Sequence, residues 1–252
     1  MVDYSKKIFP VCCLIIFLAI TSVKADSFFE DPLKGRRTIV LDPGHGGSDY
    51  GIKGVKGAYE KNITLRIAKL VLKELSKKHD VILTRSGDYK LSTINRAAIA
   101  NKNKADIFIS FHTGGSFNKK ASGSRIYYYS KNLEINKKRK KTAENQFSSF
   151  EEPVPFEKVQ LKHIYNSFKL ATYIKNNIHK NIDSIIITGS NIHVLKGADM
   201  PSILIEIGFL TNFTESSKFL KEPFLLDYAI NISIGVDLFL KNILKKEKKM
   251  TN

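Results

Sequence analysis

Short apolar runs alternate with longer amphipathic segments along most of this chain, and this alternation restricts the fold more than any other feature. The runs Thr38–Asp42, Ala105–Phe111 and Ser202–Ile207 have the length and composition of buried strands. Glu60–Lys78 repeats apolar residues at the spacing of a helix that lies on a sheet. The pattern predicts a single α/β domain with a mostly parallel, twisted sheet flanked by helices.

Six further segments have the apolar pattern of a strand or of a helix. The predicted strands are Asp80–Thr84, Ser124–Tyr129 and Ile192–Leu195, and the predicted helices are Leu91–Asn101, Ile164–Ile178 and Pro223–Leu244. The chain has 15 glycines and 7 prolines among 252 residues, too few for a low-complexity protein. It also lacks the repeat period of a solenoid. One catalytic-size globular domain fits these figures best.

The N-terminal 25 residues have the layout of an export signal. Lys6 and Lys7 precede an apolar run from Ile8 to Ile20, and Val23 and Ala25 supply the small residues that a signal peptidase reads. A run this short favours a cleaved signal over a stable membrane span, which needs ~20 apolar residues. An uncleaved anchor is the alternative. Both cysteines lie in this segment, so the mature chain has no thiol ligand.

The chain beyond the signal is predicted to have three parts: a linker at 26–36, a catalytic domain at 37–245 and a basic tail at 246–252. Residues 131–162 interrupt the domain with a long polar stretch before the late helix. Compact α/β domains rarely contain an unstructured connection longer than about 15 residues unless it is functional. We expect this stretch to be an insert. We expect the protein to be exported to the periplasm, and the alternative is a secreted or cell-wall-associated protein.

The net charge is strongly positive, with 41 Lys and Arg against 24 Asp and Glu and a formal charge of +17. Clustered basic residues bind phosphate backbones. Here, however, they concentrate in Lys131–Lys141 and Lys241–Lys249, and such runs are typical of solvated loops and chain ends. Because no nucleic-acid-binding motif accompanies them, we expect no nucleic-acid partner. An anionic polymer outside the cell suits the charge equally well.

Two histidines follow predicted strands directly, each in a glycine-rich segment. His45 lies in DPGHGG at 42–47, and His112 lies in SFHTGG at 110–115. Taken alone, His45 also fits a plain turn, or less well a phosphate-binding loop, which would need a lysine and a regular glycine spacing. Two histidines at the ends of two strands favour a ligand site at the carboxyl edge of the sheet.

Two acidic residues occupy positions where carboxylates are rare. Glu60 precedes Ile63 and Ile67 by three and seven residues, so it lies on the helix face that packs on the sheet. Alternatively, Glu60 is an acidic residue in the first turn of the helix, where the helix dipole stabilises its negative charge. Glu206 interrupts the apolar strand SILIEI, where a carboxylate needs a metal or a paired base such as lysine.

Two imidazoles and two carboxylates at one sheet edge predict a hydrolytic metal site. Two His and one Glu form a catalytic zinc set that leaves a position for water, and the remaining carboxylate is available as a base. The chain lacks His-Glu-x-x-His, which excludes that type of helix-borne metalloprotease site. The other histidines are predicted to be structural or exposed: His79, His163, His179 and His193.

Four ordered motifs extend between about Arg37 and about Leu240: DPGHGG at 42–47, GAYEKN at 57–62, SFH at 110–112, and VLK at 194–196 with MPSILIEIGFLTN at 200–212. They resemble the motifs of the zinc-dependent N-acetylmuramoyl-L-alanine amidases of the cell-wall amidase type 3 family. The resemblance implies one zinc ion on His45, Glu60 and His112, with Glu206 as the catalytic acid/base.

The resemblance further implies hydrolysis of the amide between N-acetylmuramic acid and L-alanine in peptidoglycan, for wall remodelling or daughter-cell separation. In division-associated members an insertion at this place covers the active site until an activator protein moves it. Residues 131–162 would then form a lid, with Glu151 or Glu152 directed at the zinc, and an activator would be a partner. A flexible basic loop that contacts the wall is the alternative.

The chain departs from the family pattern at two places that concern substrate positioning. Thr113 and Gly114 stand where the family usually has a small residue followed by Asn or Asp, and an arginine often found before the VLK motif is missing from 188–191. A catalytically silent wall-binding protein with the same fold is the competing hypothesis. The complete set of ligand and base residues favours the enzyme.

Overall fold

The structure is a computed structural model that describes residues 35–131, 158–178 and 184–250. The predicted signal peptide, most of the predicted linker and residues 132–157 of the predicted insert lie outside the described residues. The sequence-based expectations for those segments therefore stay predictions.

A six-stranded sheet forms the centre of the domain, in the order β2-β1-β3-β6-β4-β5. Its strands are β1 Thr38–Pro43, β2 Asp80–Leu83, β3 Ile107–Gly114, β4 Ser124–Tyr129, β5 Ile185–Ser190 and β6 Ser202–Phe209. Neighbouring strands are parallel except β6 and β4, which are antiparallel. The prediction of an α/β domain with a mostly parallel sheet is confirmed.

Helices cover both faces of this sheet. The α-helices in the described residues are α1 Glu60–Leu75, α2 Thr93–Lys102, α3 Ile164–Asn177, α4 His193–Lys196, α5 Phe213–Phe219 and α6 Glu222–Met250. Helices α1, α3 and α6 bury one core against the sheet, and α2 and α4 bury the other. Ile39 and Leu41 belong to the first core and Val40 to the second, because successive strand residues face opposite sides.

One predicted strand is wrong and one observed strand was missed. Ile192–Leu195 contains the start of the one-turn helix α4, which buries Val194 and Leu195 in the second core. So short an apolar run does not distinguish a strand from a helix. The missed strand β5 lies at the edge of the sheet beside β4, and its Ile186 is 52% exposed, so it lacks the pattern of a buried strand.

Helix α6 packs against α1 and α3. By length and composition Glu222–Leu244 would suffice to cross a membrane, but half of its apolar window is buried inside the fold. Gly235 allows the close approach of α3, because a Cβ at this position would lie 2.6 Å from the Cα of Ile174. Helix α6 is thus a core helix, and it continues into the predicted basic tail.

The strand directions determine which groups lie at which edge of the sheet. The carboxyl ends of β1, β3 and β6 meet at one edge, and the antiparallel strand β4 begins there and ends at the opposite edge. Gln160, just after the predicted insert's undescribed part, donates a hydrogen bond to the carbonyl of Met200 before β6 begins (2.7 Å). Both described ends of the insert therefore lie at the edge opposite the carboxyl ends.

Candidate metal centre

The three predicted ligands lie together at the carboxyl edge of the sheet. Nε2 of His45 is 3.1 Å from one carboxylate oxygen of Glu60, and Nδ1 of His112 is 3.1 Å from the other. One potential ligand atom from each of the three residues lies within 4.8 Å of the other two. Two imidazole nitrogens and one carboxylate oxygen are a donor set that fits zinc and leaves a coordination position for water.

A different element positions each ligand. His112 lies inside β3, which extends beyond the predicted end of that strand, and Glu60 is the first residue of α1. Glu60 is 1% exposed, which confirms that it faces the sheet. Its two carboxylate oxygens accept hydrogen bonds from the backbone N–H groups of Ile52 (2.9 Å) and Thr113 (2.8 Å). These bonds hold the carboxylate between the two histidines.

The loop after β1 holds His45 in an uncommon backbone conformation, with φ at 61°. Nearby glycines make room for the ligands. A Cβ on Gly44 would collide with the ring of His112, and a Cβ on Gly51 would lie 2.6 Å from a carboxylate oxygen of Glu60. The glycines of this loop therefore allow the close packing of the three ligands.

Two buried arginines hold this loop from within the domain. Arg96 donates hydrogen bonds to the carbonyl groups of Pro43 (2.6 Å) and His45 (2.8 Å). Arg85 donates to the carbonyl groups of Pro43 (2.9 Å) and Gly44 (2.8 Å). Three consecutive backbone carbonyls that end at the ligand are thus bonded to guanidinium groups, which fixes the course of the backbone.

A buried aspartate supports the arginines. Asp42 is fully buried and accepts hydrogen bonds from Arg96 (2.7 Å), Thr84 (2.5 Å) and Ser110 (2.7 Å). A buried ion pair with all its bonds formed is compatible with a stable core, whereas loss of one partner leaves an uncompensated charge. The loop, β2, α2 and β3 are therefore connected beneath the ligands.

The pKa values at the site follow from burial and from these contacts. Burial raises the pKa of Glu60, but hydrogen bonds from His112 and His45 outweigh burial and bring the pKa well below its usual range. Burial lowers the pKa of His45, but the carboxylates of Glu60 and Asp49 outweigh it and raise the pKa. Asp49 Oδ1 lies 2.9 Å from Nδ1 of His45, which leaves Nε2 directed at Glu60.

Glu206 lies next to the cluster on the neighbouring strand. It pairs in register with His112, so both side chains project from the same face of the sheet. The hydroxyl of Tyr127 donates a hydrogen bond to its carboxylate (3.1 Å), and no described lysine pairs with it. Burial raises the pKa of Glu206, and the bond from Tyr127 offsets this only in part.

Residues 39–237 match the profile of a family described as N-acetylmuramoyl-L-alanine amidase. The chain belongs to this family. It is 34% identical over 220 residues to the N-acetylmuramoyl-L-alanine amidase AmiA of Escherichia coli K12, covering 80% of this chain and 75% of that protein. The resemblance inferred from the four motifs is confirmed.

Solved amidase structures have the same fold. The N-acetylmuramoyl-L-alanine amidase from Clostridium difficile 630 is 29% identical, with a TM-score of 0.61 over 82% of this chain and 98% of that one. The CwlD amidase from Clostridioides difficile, solved in complex with the GerS lipoprotein, is 25% identical, with a TM-score of 0.64 over 82% of this chain and 99% of that one.

The three other histidines in the described part of this amidase lie outside the cluster. Nε2 of His79 is 3.0 Å from Asp237, and Nε2 of His163 is 3.0 Å from Asp199. His193 is exposed on α4, and His179 lies outside the described part of the chain.

The arginines beneath the ligands were not predicted from the sequence. Arg96 shares the buried face of α2 with Ala97 and Ala100, so helical spacing was a usable signal for it. Arg85 lies two residues after the end of β2 and belongs to no periodic pattern. Its role emerges only when the loop after β1 is placed beside it.

Proposed function

We propose that this chain is a zinc-dependent amidase that hydrolyses the bond between N-acetylmuramic acid and L-alanine in peptidoglycan. One observation carries the proposal: a chain of this family brings His45, Glu60 and His112 together and places Glu206 beside them. As a member of the family, the chain acts on peptidoglycan; zinc dependence and the roles of individual residues are the proposed part.

The three clustered side chains would hold one zinc ion. When bound, zinc supplies a Lewis acid for the amide carbonyl and lowers the pKa of a bound water from 15.7 toward roughly 7. Glu60 is held ionised by its neighbours, as a ligand must be. Asp49 contacts the nitrogen of His45 that faces away from Glu60, and this fixes the ring orientation.

Glu206 would act as the general base and then as the general acid. Its carboxylate takes a proton from the attacking water and returns it to the departing amine of L-alanine. The hydroxyl of Tyr127 holds the carboxylate in place through the 3.1 Å hydrogen bond. Burial raises the pKa of Glu206, and this makes its carboxylate a stronger base toward the attacking water.

Digestion of purified peptidoglycan with the zinc-loaded protein tests the activity. Mass analysis of the soluble products should show free stem peptides that begin with L-alanine. A Glu206→Gln variant of equal zinc content is the matched control and should release none. Unchanged peptidoglycan in both digests would support the silent wall-binding protein instead.

Export to the periplasm, with cleavage of residues 1–25 from the rest of the chain, is part of the proposal. The charge pattern of these residues supports it. Fractionation of cells that produce the full chain should place a shortened product outside the cytoplasm, and N-terminal sequencing should give the cleavage point. A full-length product that stays with the membrane would support the uncleaved anchor.

Two proposals are kept for the insert, residues 131–162: a lid that an activator protein moves, and a flexible basic loop that contacts the wall. Both described ends lie at the edge opposite the ligands, so a lid has to run back along the length of β4. At ~3.3 Å per residue, the 6 residues of β4 span roughly 20 Å. The segment is long enough for this path.

Deletion of residues 135–156 separates the lid from the basic loop. A lid predicts strongly raised basal hydrolysis of peptidoglycan. A basic loop predicts unchanged hydrolysis of soluble substrates with weaker sedimentation on whole peptidoglycan. The deletion leaves Gln160 and its bond to Met200 in place, so the fold should be retained.

A further inference from the structure

Three side chains form one row across the middle of the sheet. Arg125 on β4 pairs in register with Glu206 on β6, and Glu206 pairs with His112 on β3. Residues opposite each other on adjacent strands project to the same side. A guanidinium group, the proposed base and a proposed metal ligand therefore occupy the same face of the sheet, on three successive strands.

Neighbouring aromatic groups hold Arg125 in this row. Its Cζ atom lies 4.8 Å from the centroid of the Phe209 ring, at the end of β6. The guanidinium also interacts with the hydroxyl of Tyr127, where its charge limits the rise in that tyrosine's pKa. Stacking on an aromatic face positions an arginine while its N–H donors stay available.

Among the described residues Arg125 has no carboxylate in close ion-pair contact, although its charge acts on Glu206 and lowers the pKa of that residue. Within residues 35–131, 158–178 and 184–250, no Asp or Glu oxygen forms an ion pair with Arg125. The side chain of Arg125 is half-buried, whereas the buried Arg96 forms an ion pair with Asp42 and the buried Arg85 donates hydrogen bonds to backbone carbonyls. A partly desolvated guanidinium without a close ion pair keeps N–H donors available for an anion.

We propose that Arg125 binds a carboxylate of the peptidoglycan stem peptide and so positions the scissile amide between the zinc ligands and Glu206. The inference rests on the proposed function. Two strand spacings separate the backbones of His112 and Arg125 by about 10 Å. A peptide extends ~3.3–3.6 Å per residue. A carboxylate on the residue after L-alanine therefore lies within reach of the guanidinium when the amide is at the zinc ligands.

The test compares two forms of one substrate with the zinc-loaded enzyme. Purified peptidoglycan is used as isolated and after conversion of its carboxyl groups to carboxamides. Initial rates of stem-peptide release are measured at subsaturating substrate, where they report kcat/KM. A hydrogen bond to a charged group is stronger than one between neutral groups. We therefore expect the kcat/KM of the wild type to be roughly 10-fold or more lower on the amidated form.

The variants Arg125→Gln and Arg125→Lys make the test specific. Arg125→Gln should hydrolyse both substrates at the same low rate, and Arg125→Lys should keep part of the preference. Lys102→Gln, which removes one positive charge from the exposed end of α2, should keep the full preference. Zinc content and thermal midpoint, measured for every variant, show that each compared protein is folded and loaded.

Each outcome decides between the proposals. A wild type that hydrolyses both substrates equally, or an Arg125→Gln variant that keeps the wild-type preference ratio while losing rate on both, overturns carboxylate binding by Arg125 and leaves the proposed function intact. A wild type that releases no stem peptide from either substrate overturns the proposed function itself. A preference lost only with Arg125 supports the inference.

Discussion

The two sides of the metal centre are built in opposite ways. On the side of β1 and α1, Glu60 is buried and the backbone that leads to His45 is bonded to Arg85 and Arg96. On the side of β4, Glu206 is half-buried and its only hydrogen-bond partner among the described residues is Tyr127. The difference indicates that the ligand side is preorganised before metal binds, whereas the base side is open to substrate.

This comparison separates two kinds of variant. Changes on the ligand side should alter zinc affinity or stability. Changes on the base side should alter hydrolysis while the zinc content stays the same. Metal binding and hydrolysis, measured on the same samples, therefore show whether the two sides act separately.

The largest effect is expected for Glu206→Gln, which removes the base and keeps the shape of the side chain. General acid–base catalysis contributes about 10²- to 10⁴-fold, so hydrolysis should fall by that factor. Zinc content should remain at the wild-type level because Glu206 is not one of the clustered ligands. The exposed Glu222→Gln is the control. Wild-type activity in Glu206→Gln would remove this residue from the mechanism.

Arg96→Met should be the most destabilising change on the ligand side. It leaves the charge of Asp42 buried and unpaired, and removal of one partner from a buried ion pair costs about 3–5 kcal/mol. Urea unfolding of the metal-free protein measures the free energy of unfolding. Arg36→Met, which breaks an exposed pair with Asp80, should cost less than about 1 kcal/mol. Equal losses for the two arginines would contradict the account.

Asp49→Asn should weaken zinc binding with little change in fold. The carboxylate beside Nδ1 of His45 orients the ring, and loss of such a partner typically lowers metal affinity by about 10- to 100-fold. Competition with a chromophoric chelator gives the Kd. Asp106→Asn, at the opposite edge of the sheet, is the matched control and should bind zinc as the wild type does. An unchanged Kd in Asp49→Asn would show that the contact has no part in metal binding.

Tyr127→Phe is expected to have the smallest effect. It removes one hydrogen bond to Glu206. The typical net contribution of a single hydrogen bond corresponds to roughly 2- to 10-fold in kcat/KM. Zinc affinity should not change. If Tyr127→Phe lowers zinc affinity as much as Asp49→Asn does, the division into two sides is wrong.

The central strands and the grouping of the four candidate site residues could be predicted because each leaves a local mark in the sequence. Strands β1, β3 and β6 are buried on both faces and form continuous apolar runs. The inward direction of Glu60 follows from helical spacing, and Glu206 stands out as an acid in an apolar strand.

Other features could not be predicted because they depend on contacts between distant segments. The edge strand β5 is part exposed and carries no buried-strand pattern, and the four-residue run at α4 is compatible with either secondary structure. Arg85 contacts a loop about 40 residues earlier in the chain, and only the assembled fold shows that contact. The position of Arg125 beside Glu206 likewise follows from strand register.

The most direct test of the account titrates zinc into the metal-free protein and measures bound metal and hydrolysis of peptidoglycan in the same samples. We expect activity to rise in proportion to bound zinc and to level off at one equivalent. His45→Ala and His112→Ala should lose both signals. Full hydrolysis by the metal-free protein, or full zinc binding by both histidine variants, would contradict the assignment of this cluster as the catalytic metal centre.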